Sequence, residues 1–189
     1  MQETGYAHRV VSNNQHVNRA QIIDAAKEVL ATQGLAACTA RAVADASPLT
    51  KSAIHYYFHD IDEIVDEAMA AHVDAMLANL RRAAGEPAEH AEPDERLWRV
   101  VEAYLATFAE QPNAAFLWFE YWMAASRRAA PDRPAAMLEK MCVLLAEVLP
   151  GAEDTAHQIL SWLLGTIVQQ HLRPRPATEL RDELAKLTT

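Results

Sequence analysis

The sequence predicts an all-α protein of about nine helices. Three observations carry that expectation. Glycine is scarce, 5 in 189 residues, and alanine is frequent, a balance that favours helix over sheet. Apolar residues recur at i, i+3, i+4, i+7 through successive stretches of the chain. Those stretches open at Thr, Asp or Pro and close at Gly or Pro, as helices do. Apolar residues make up 51% of the chain, enough for a sizeable core. No uncharged apolar run reaches the roughly 18 residues that would suggest a membrane span. The N-terminus, MQETGYAHRVVSNNQ, lacks a signal-peptide apolar segment, so a cytoplasmic protein is expected. Cys38 and Cys142 are far apart and sit in apolar surroundings, which suits reduced, buried thiols.

Taken in order, residues 1–16 read as a flexible arm. A first helix is expected from about Asn18 to Gln33, with Ile22, Ala25, Ala26, Val29 and Leu30 on one face. Gly34 stands where a left-handed C-terminal cap belongs. Thr39 can cap a second, short helix from Ala40 to about Ala46 that buries Val43 and Ala46. Pro48 disfavours helical geometry in Ser47 and ends that helix. Thr50 can cap a third helix, Lys51 to Phe58. Ile54 and Phe58, four apart, would anchor it and leave Lys51, Ser52, His55 and Tyr56 outward. Asp60 and Glu63 resemble a capping box at the start of a long fourth helix, Ile61 to about Ala83. Its expected stripe is Ile61, Ile64, Val65, Ala68, Met69, His72, Met76 and Leu80.

Residues 84–93, rich in Pro, Glu and Gly, read as a loop. A fifth helix follows, about Asp94 to Glu110, with Leu97, Val101, Tyr104, Leu105 and Phe108 inward. Pro112 suits the first position of a sixth helix, which carries the densest aromatic segment, Phe116 to Met123. Residues 129–134 break it. Helices from about Ala135 to Leu149 and Asp154 to Leu172, then a short amphipathic tail over 178–187, complete the chain. The expected domains are a helix-turn-helix unit over 17–60 and a C-terminal bundle over 61–189, with residues 61–83 as the linking helix.

Three helices with a short second and third joined by a tight turn make a helix-turn-helix. The residues Arg19 to Ala26, then Gly34, Thr39, Val43-Ala44 and Ile54-His55-Tyr56-Tyr57-Phe58, resemble the N-terminal DNA-binding domain of the TetR family of transcriptional regulators. The likeness covers roughly residues 18–65. It implies an all-helical homodimer acting as a repressor on palindromic double-stranded operator DNA. It also implies a C-terminal domain that binds a small-molecule effector and then releases DNA. Two departures stand out. Pro48 occupies the turn where the family usually has Gly, and proline cannot adopt positive φ. Ile61 stands where the family usually has Lys, so a phosphate contact from that position is lost.

An outward helix face can read base edges in a major groove. Lys51 can donate to guanine or phosphate, Ser52 and His55 to base edges or backbone, and Tyr56 can meet a thymine methyl or a phosphate. Arg41, Thr39, Thr50 and Tyr57 are placed for phosphate contacts. On the residues alone, a solvated polar face explains the same pattern; the resemblance favours DNA. The net charge of −9 argues against nucleic acid. Residues 1–60, however, balance five basic residues (Arg9, Arg19, Lys27, Arg41, Lys51) against five acidic ones (Glu3, Asp24, Glu28, Asp45, Asp60), so the body carries the charge. A neutral head can still bind DNA if its basic groups share a face.

In the bundle, Phe116, Phe119, Glu120, Trp122, Met123 and Trp162 are the candidate effector-binding residues. Aromatic rings beside a carboxylate could hold a cation, although core packing accounts for the same stripe. The segment from Leu117 to Trp122, followed by Ala124-Ala125-Ser126, is weakly similar to BetI-type, choline-responsive members, which implies a cationic or hydrophobic effector. The last two long helices have apolar residues around more than one face. Met141, Leu145, Leu160, Leu164, Ile167 and Val168 are the expected contacts of a two-fold, four-helix dimer interface, with Gly165 allowing close approach. His55 and His59 have a metal-ligand spacing but no third partner, so neither a metal nor a cofactor is expected. The alternative is a helical carrier or enzyme that kept the fold and lost DNA binding. Pro48, Ile61 and the acidic balance favour it slightly, and Glu120 and His171 are its acid–base candidates.

Overall fold

The protein is described by a computed structural model that covers residues 3–85, 92–110, 112–149 and 153–188. The described residues form nine α-helices: α1 Glu3–Gln33, α2 Ala40–Ala46, α3 Lys51–Tyr57, α4 Ile61–Ala84, α5 Pro93–Glu110, α6 Pro112–Arg127, α7 Asp132–Val148, α8 Glu153–Leu172 and α9 Ala177–Ala185. Helix α1 begins at Glu3 rather than near Asn18, so the described part of the expected N-terminal arm, residues 3–16, is helical; no proline interrupts it. No described helix is long and apolar enough to cross a membrane. The chain divides into two compact units, Met1–His72 and Val73–Thr189. The division falls inside α4, because the first half of that helix supplies core residues to the first unit.

In the first unit, Ile22, Ala25, Ala26, Val29 and Leu30 of α1 are buried, as their spacing requires. Val43 of α2, Ile54 and Phe58 at α3, and Ile64, Val65, Ala68 and Met69 of α4 are buried in the same unit. Each large side chain fully buried in this way contributes about 1.5–3 kcal/mol against exposure. Ala46 does not join this core; it is exposed at the last turn of α2, where the chain leaves for Pro48. Gly34 ends α1 with φ 82° and ψ 175°, a region open to glycine alone, while its N–H donates to the Leu30 carbonyl at 3.1 Å.

In the second unit, α7 and α8 pack side by side, and α5 and α6 pack on them. Leu97, Val101, Tyr104, Leu117, Tyr121, Leu144, Leu145, Ile159 and Leu163 fill the centre. The second half of α4 buries Val73, Leu77, Leu80 and Ala84 rather than continuing through Met76, which is half-buried. Helix α9 is held by buried Leu180 and Leu184 and by Glu183, which accepts from Trp162 Nε1 at 3.1 Å and pairs with Arg175. Cys38 and Cys142 are both buried and unbridged.

Candidate nucleic-acid interface

Helix α3 spans only two turns, too short to be stable in isolation, so its neighbours must hold it. At its start, Thr50 Oγ1 accepts from the Ala53 N–H at 3.3 Å. Ile54 and Phe58 are almost fully buried and fix its inner face. At its end, the Arg19 guanidinium donates to the Tyr57 carbonyl at 2.8 Å and lies 4.1 Å from the centroid of the Phe58 ring. A cation at the C-terminal carbonyls also complements the helix dipole. The same guanidinium pairs with Glu63, at 3.0 Å, and with Glu67 on α4. Glu63 in turn accepts from the His59 N–H at 2.8 Å, and Asp60 Oδ1 accepts from the Glu63 N–H at 2.9 Å. The His59 hydrogen bond, followed by Arg19, holds the Glu63 carboxyl below its ordinary range. The capping box therefore forms one residue offset, with Glu63 reaching His59 rather than Asp60.

What remains outside is the face expected for contact. Lys51, Ser52, Thr50 and His55 are exposed, and Tyr56 is 71% exposed. Tyr57 differs: it is half-buried, its hydroxyl accepts from Asn18 Nδ2 at 2.8 Å, and its ring meets Tyr56 edge-on at 5.0 Å. It braces α3 against α1 with its oxygen. On α2, Thr39 Oγ1 accepts from the Ala42 N–H at 3.1 Å, so its hydroxyl serves as a cap. The Arg41 side chain is 86% exposed, with Asp45 at 3.8 Å one turn on. Such an exposed pair contributes little and yields readily to a phosphate.

The Pro48 turn closes without strain. Ser47 is extended, with φ −108° and ψ 152°, as a residue before proline should be. Its Oγ accepts from the Leu49 N–H at 3.1 Å, a side-chain turn that replaces the expected glycine geometry. Gly34 and Gly85 are the glycines with positive φ among the described residues, and Ala129 is the only such non-glycine. The turn between α2 and α3 thus needs no positive φ. His55 and His59 do not form a helical i, i+4 pair, because α3 ends at Tyr57.

In the second unit, a cavity of about 540 Å³ lies between α5, the start of α6, the end of α8 and α9. Leu105, Phe108, Ile167 and Leu180 are among its apolar walls, and Glu102, Gln170, His171 and Arg175 bring polar groups. None of the six expected effector residues lines it. Phe116, Trp122 and Met123 are exposed, Glu120 faces outward, Phe119 is half-buried, and Trp162 gives its N–H to Glu183. The reason is rotational: α6 turns Leu117, Tyr121 and Ala125 to the core, leaving the remaining aromatics for other surfaces. His171, the other acid–base candidate, lines the cavity and packs edge-on against Phe116 at 4.6 Å.

The expected dimer residues divide likewise. Met141, Leu145, Leu160 and Ile167 are buried within this chain's own bundle, so packing of α7 on α8 and α5 accounts for them. Val168 is exposed and Leu164 half-buried, beside Leu172 at 78% exposure. A Cβ added at Gly165 would meet nothing within 4 Å.

Residues 22–68 match the family model described as bacterial regulatory proteins, tetR family. Among solved structures, the chain is similar to SCO7518 from Streptomyces coelicolor A3(2), a protein assigned as a transcriptional regulator. That match has 20% identity and a TM-score of 0.79, over 91% of this chain and 98% of that one. The chain is also similar to the multidrug binding protein EbrR complexed with proflavin, at 25% identity and a TM-score of 0.69, over 90% of this chain and 99% of that one. The fatty acid degradation regulator FadR from Bacillus halodurans shares the fold at 17% identity and a TM-score of 0.66, over 90% of this chain and 94% of that one. No curated protein matches the sequence.

Fold and outward α3 face together define a helix-turn-helix DNA-binding protein. Its N-terminal unit carries the tetR-family match over residues 22–68, and the whole chain shares the fold of the solved regulators.

Proposed function

We propose that the chain is a homodimeric repressor that reads a palindromic operator through α3 and is released by a small molecule bound in its C-terminal unit. One observation carries the DNA half of this reading. The inner face of α3 is locked by Ile54, Phe58 and Arg19, while Thr50, Lys51, Ser52, His55 and Tyr56 remain exposed. Lys51 and Arg41 supply phosphate contacts, and Ser52, His55 and Tyr56 reach base edges. Thr39 and Tyr57 act mainly by holding α2 and α3 in place.

The proposed effector site is the cavity between α5, α8 and α9. About 540 Å³ suits a drug-sized molecule, and its apolar walls with a few polar groups suit a hydrophobic ligand bearing one hydrogen-bonding group. EbrR, at 25% identity, is a multidrug binding protein that holds proflavin. Helix α4 supports the coupling: one unbroken helix gives Ile64 to Met69 to the first unit and Val73 to Ala84 to the second. The ligand shifts the DNA-competent population only by its differential affinity for the two states. For the dimer, Val168, Leu172, Gly165 and Leu164 on α8 form the outward strip a second copy would cover.

Titration against bulk genomic DNA at two salt concentrations tests the reading. A regulator shows salt-dependent background binding and a tighter specific site. Absence of both would leave a ligand carrier as the better account.

A further inference from the structure

Helices α7 and α8 are consecutive in the chain and pack against each other. On α7, Glu139 and Cys142 are three residues apart and so share a face. On α8, His157 stands in the second turn, and its Nδ1 lies 3.1 Å from Cys142 Sγ. One ligand atom from each of Glu139, Cys142 and His157 lies within 4.8 Å of the other two. It is the only such three-residue set among the described residues. A zinc ion with a sulfur at about 2.3 Å and nitrogen or oxygen at about 2.0–2.2 Å separates tetrahedral ligand pairs by roughly 3.3–3.6 Å. The Cys142–His157 pair, at 3.1 Å, is close to that spacing, and no pair of the three ligand atoms is more than 4.8 Å apart.

We propose that Glu139, Cys142 and His157 form a site for a borderline-soft divalent transition ion of the zinc class, with a fourth position open to water. The donor set makes the selection. A thiolate and an imidazole favour zinc-like ions and disfavour magnesium and calcium, which prefer all-oxygen shells. Cys142 is buried at the floor of the cluster, whereas Glu139 and His157 are exposed, which leaves the ion a path from solvent. On binding, the thiol gives its proton to solvent, the imidazole binds neutral, and the carboxylate is neutralised. The bound ion would cross-link α7 to α8 through residues 142 and 157. This site goes beyond the DNA-binding reading and does not depend on it.

Cobalt titration of the full chain under reducing conditions tests the site. One equivalent of Co²⁺ per chain should bind with a near-ultraviolet thiolate-to-cobalt charge-transfer band, and Zn²⁺ should displace it. Cys142→Ser should abolish the band, and Cys38→Ser should leave it. His157→Ala and Glu139→Gln should each weaken Co²⁺ binding by at least about tenfold, the lower bound for losing even an outer-shell partner. Zn²⁺ should raise the melting temperature of the parent protein and not of Cys142→Ser, each variant first shown by circular dichroism to be folded. Absence of the band, its survival in Cys142→Ser, or melting temperatures indifferent to Zn²⁺ would overturn the proposal.

Discussion

The guanidinium of Arg19 on α1 lies 4.1 Å from the centroid of the Phe58 ring, and its Nη1 reaches the Tyr57 carbonyl at 2.8 Å. One side chain thus fixes the C-terminal end of α3 and ties it to Glu63 and Glu67. Arg19→Ala should cost the first unit about 1–3 kcal/mol, because it removes a charged hydrogen bond and leaves two carboxylates unpaired. Arg19→Lys should restore only part, since lysine lacks the planar fork. Denaturant unfolding of both variants checks this, and a parent-like midpoint for Arg19→Ala would exclude the clamp.

Lys51→Ala should weaken binding to all DNA sequences by a similar factor and lower the salt slope by about one, the signature of a lost phosphate contact. His55→Ala should instead change which sequences are preferred. Binding isotherms on specific and random duplexes at several salt concentrations separate the two. An unchanged constant for Lys51→Ala removes that residue from the interface.

Glu63 makes the fold acid-sensitive. Its folded carboxyl is held below the ordinary glutamate range, first by the His59 N–H and then by Arg19. A depressed carboxylate contributes stability that is fully present above its unfolded value and lost as pH falls through the folded one. Stability should therefore decline as pH drops below about 4.5, and Glu63→Gln should be less stable at neutral pH with a shallower acid decline. Thermal melts between neutral pH and pH about 3 measure this.

Two backbone positions should respond oppositely. Gly34 sits at φ 82° and ψ 175°, so Gly34→Ala should destabilise by about 1–3 kcal/mol. Ala129 has φ 55° where α6 ends, so Ala129→Gly should be neutral or stabilising by up to about 1 kcal/mol. Calorimetric melting temperatures decide both.

Local features were legible in the sequence. The Thr39 and Thr50 caps, the Gly34 stop and the burial of Ile54 and Phe58 each depend on neighbours within a turn. The Arg19 clamp was not, since its partners lie about 40 residues away and no local pattern marks them. Helix α6 was ambiguous for another reason: aromatic residues surround it, so its pattern did not single out Leu117 and Tyr121 as the core-facing pair. On α7 and α8, a residue buried in its own bundle and one buried by a second copy leave the same apolar signature. The cavity drew on α5, α8 and α9, whose residues share no sequence motif.

The central claim is that two copies of α3, carried by one dimer, read duplex DNA. Selecting bound sequences from a random duplex pool tests it most directly. The account predicts an inverted repeat with half-site centres about one helical turn, ~34 Å, apart, whose enrichment is lost when Lys51 and His55 are replaced by alanine. Recovery of no repeat, or of a repeat that survives those replacements, would contradict it.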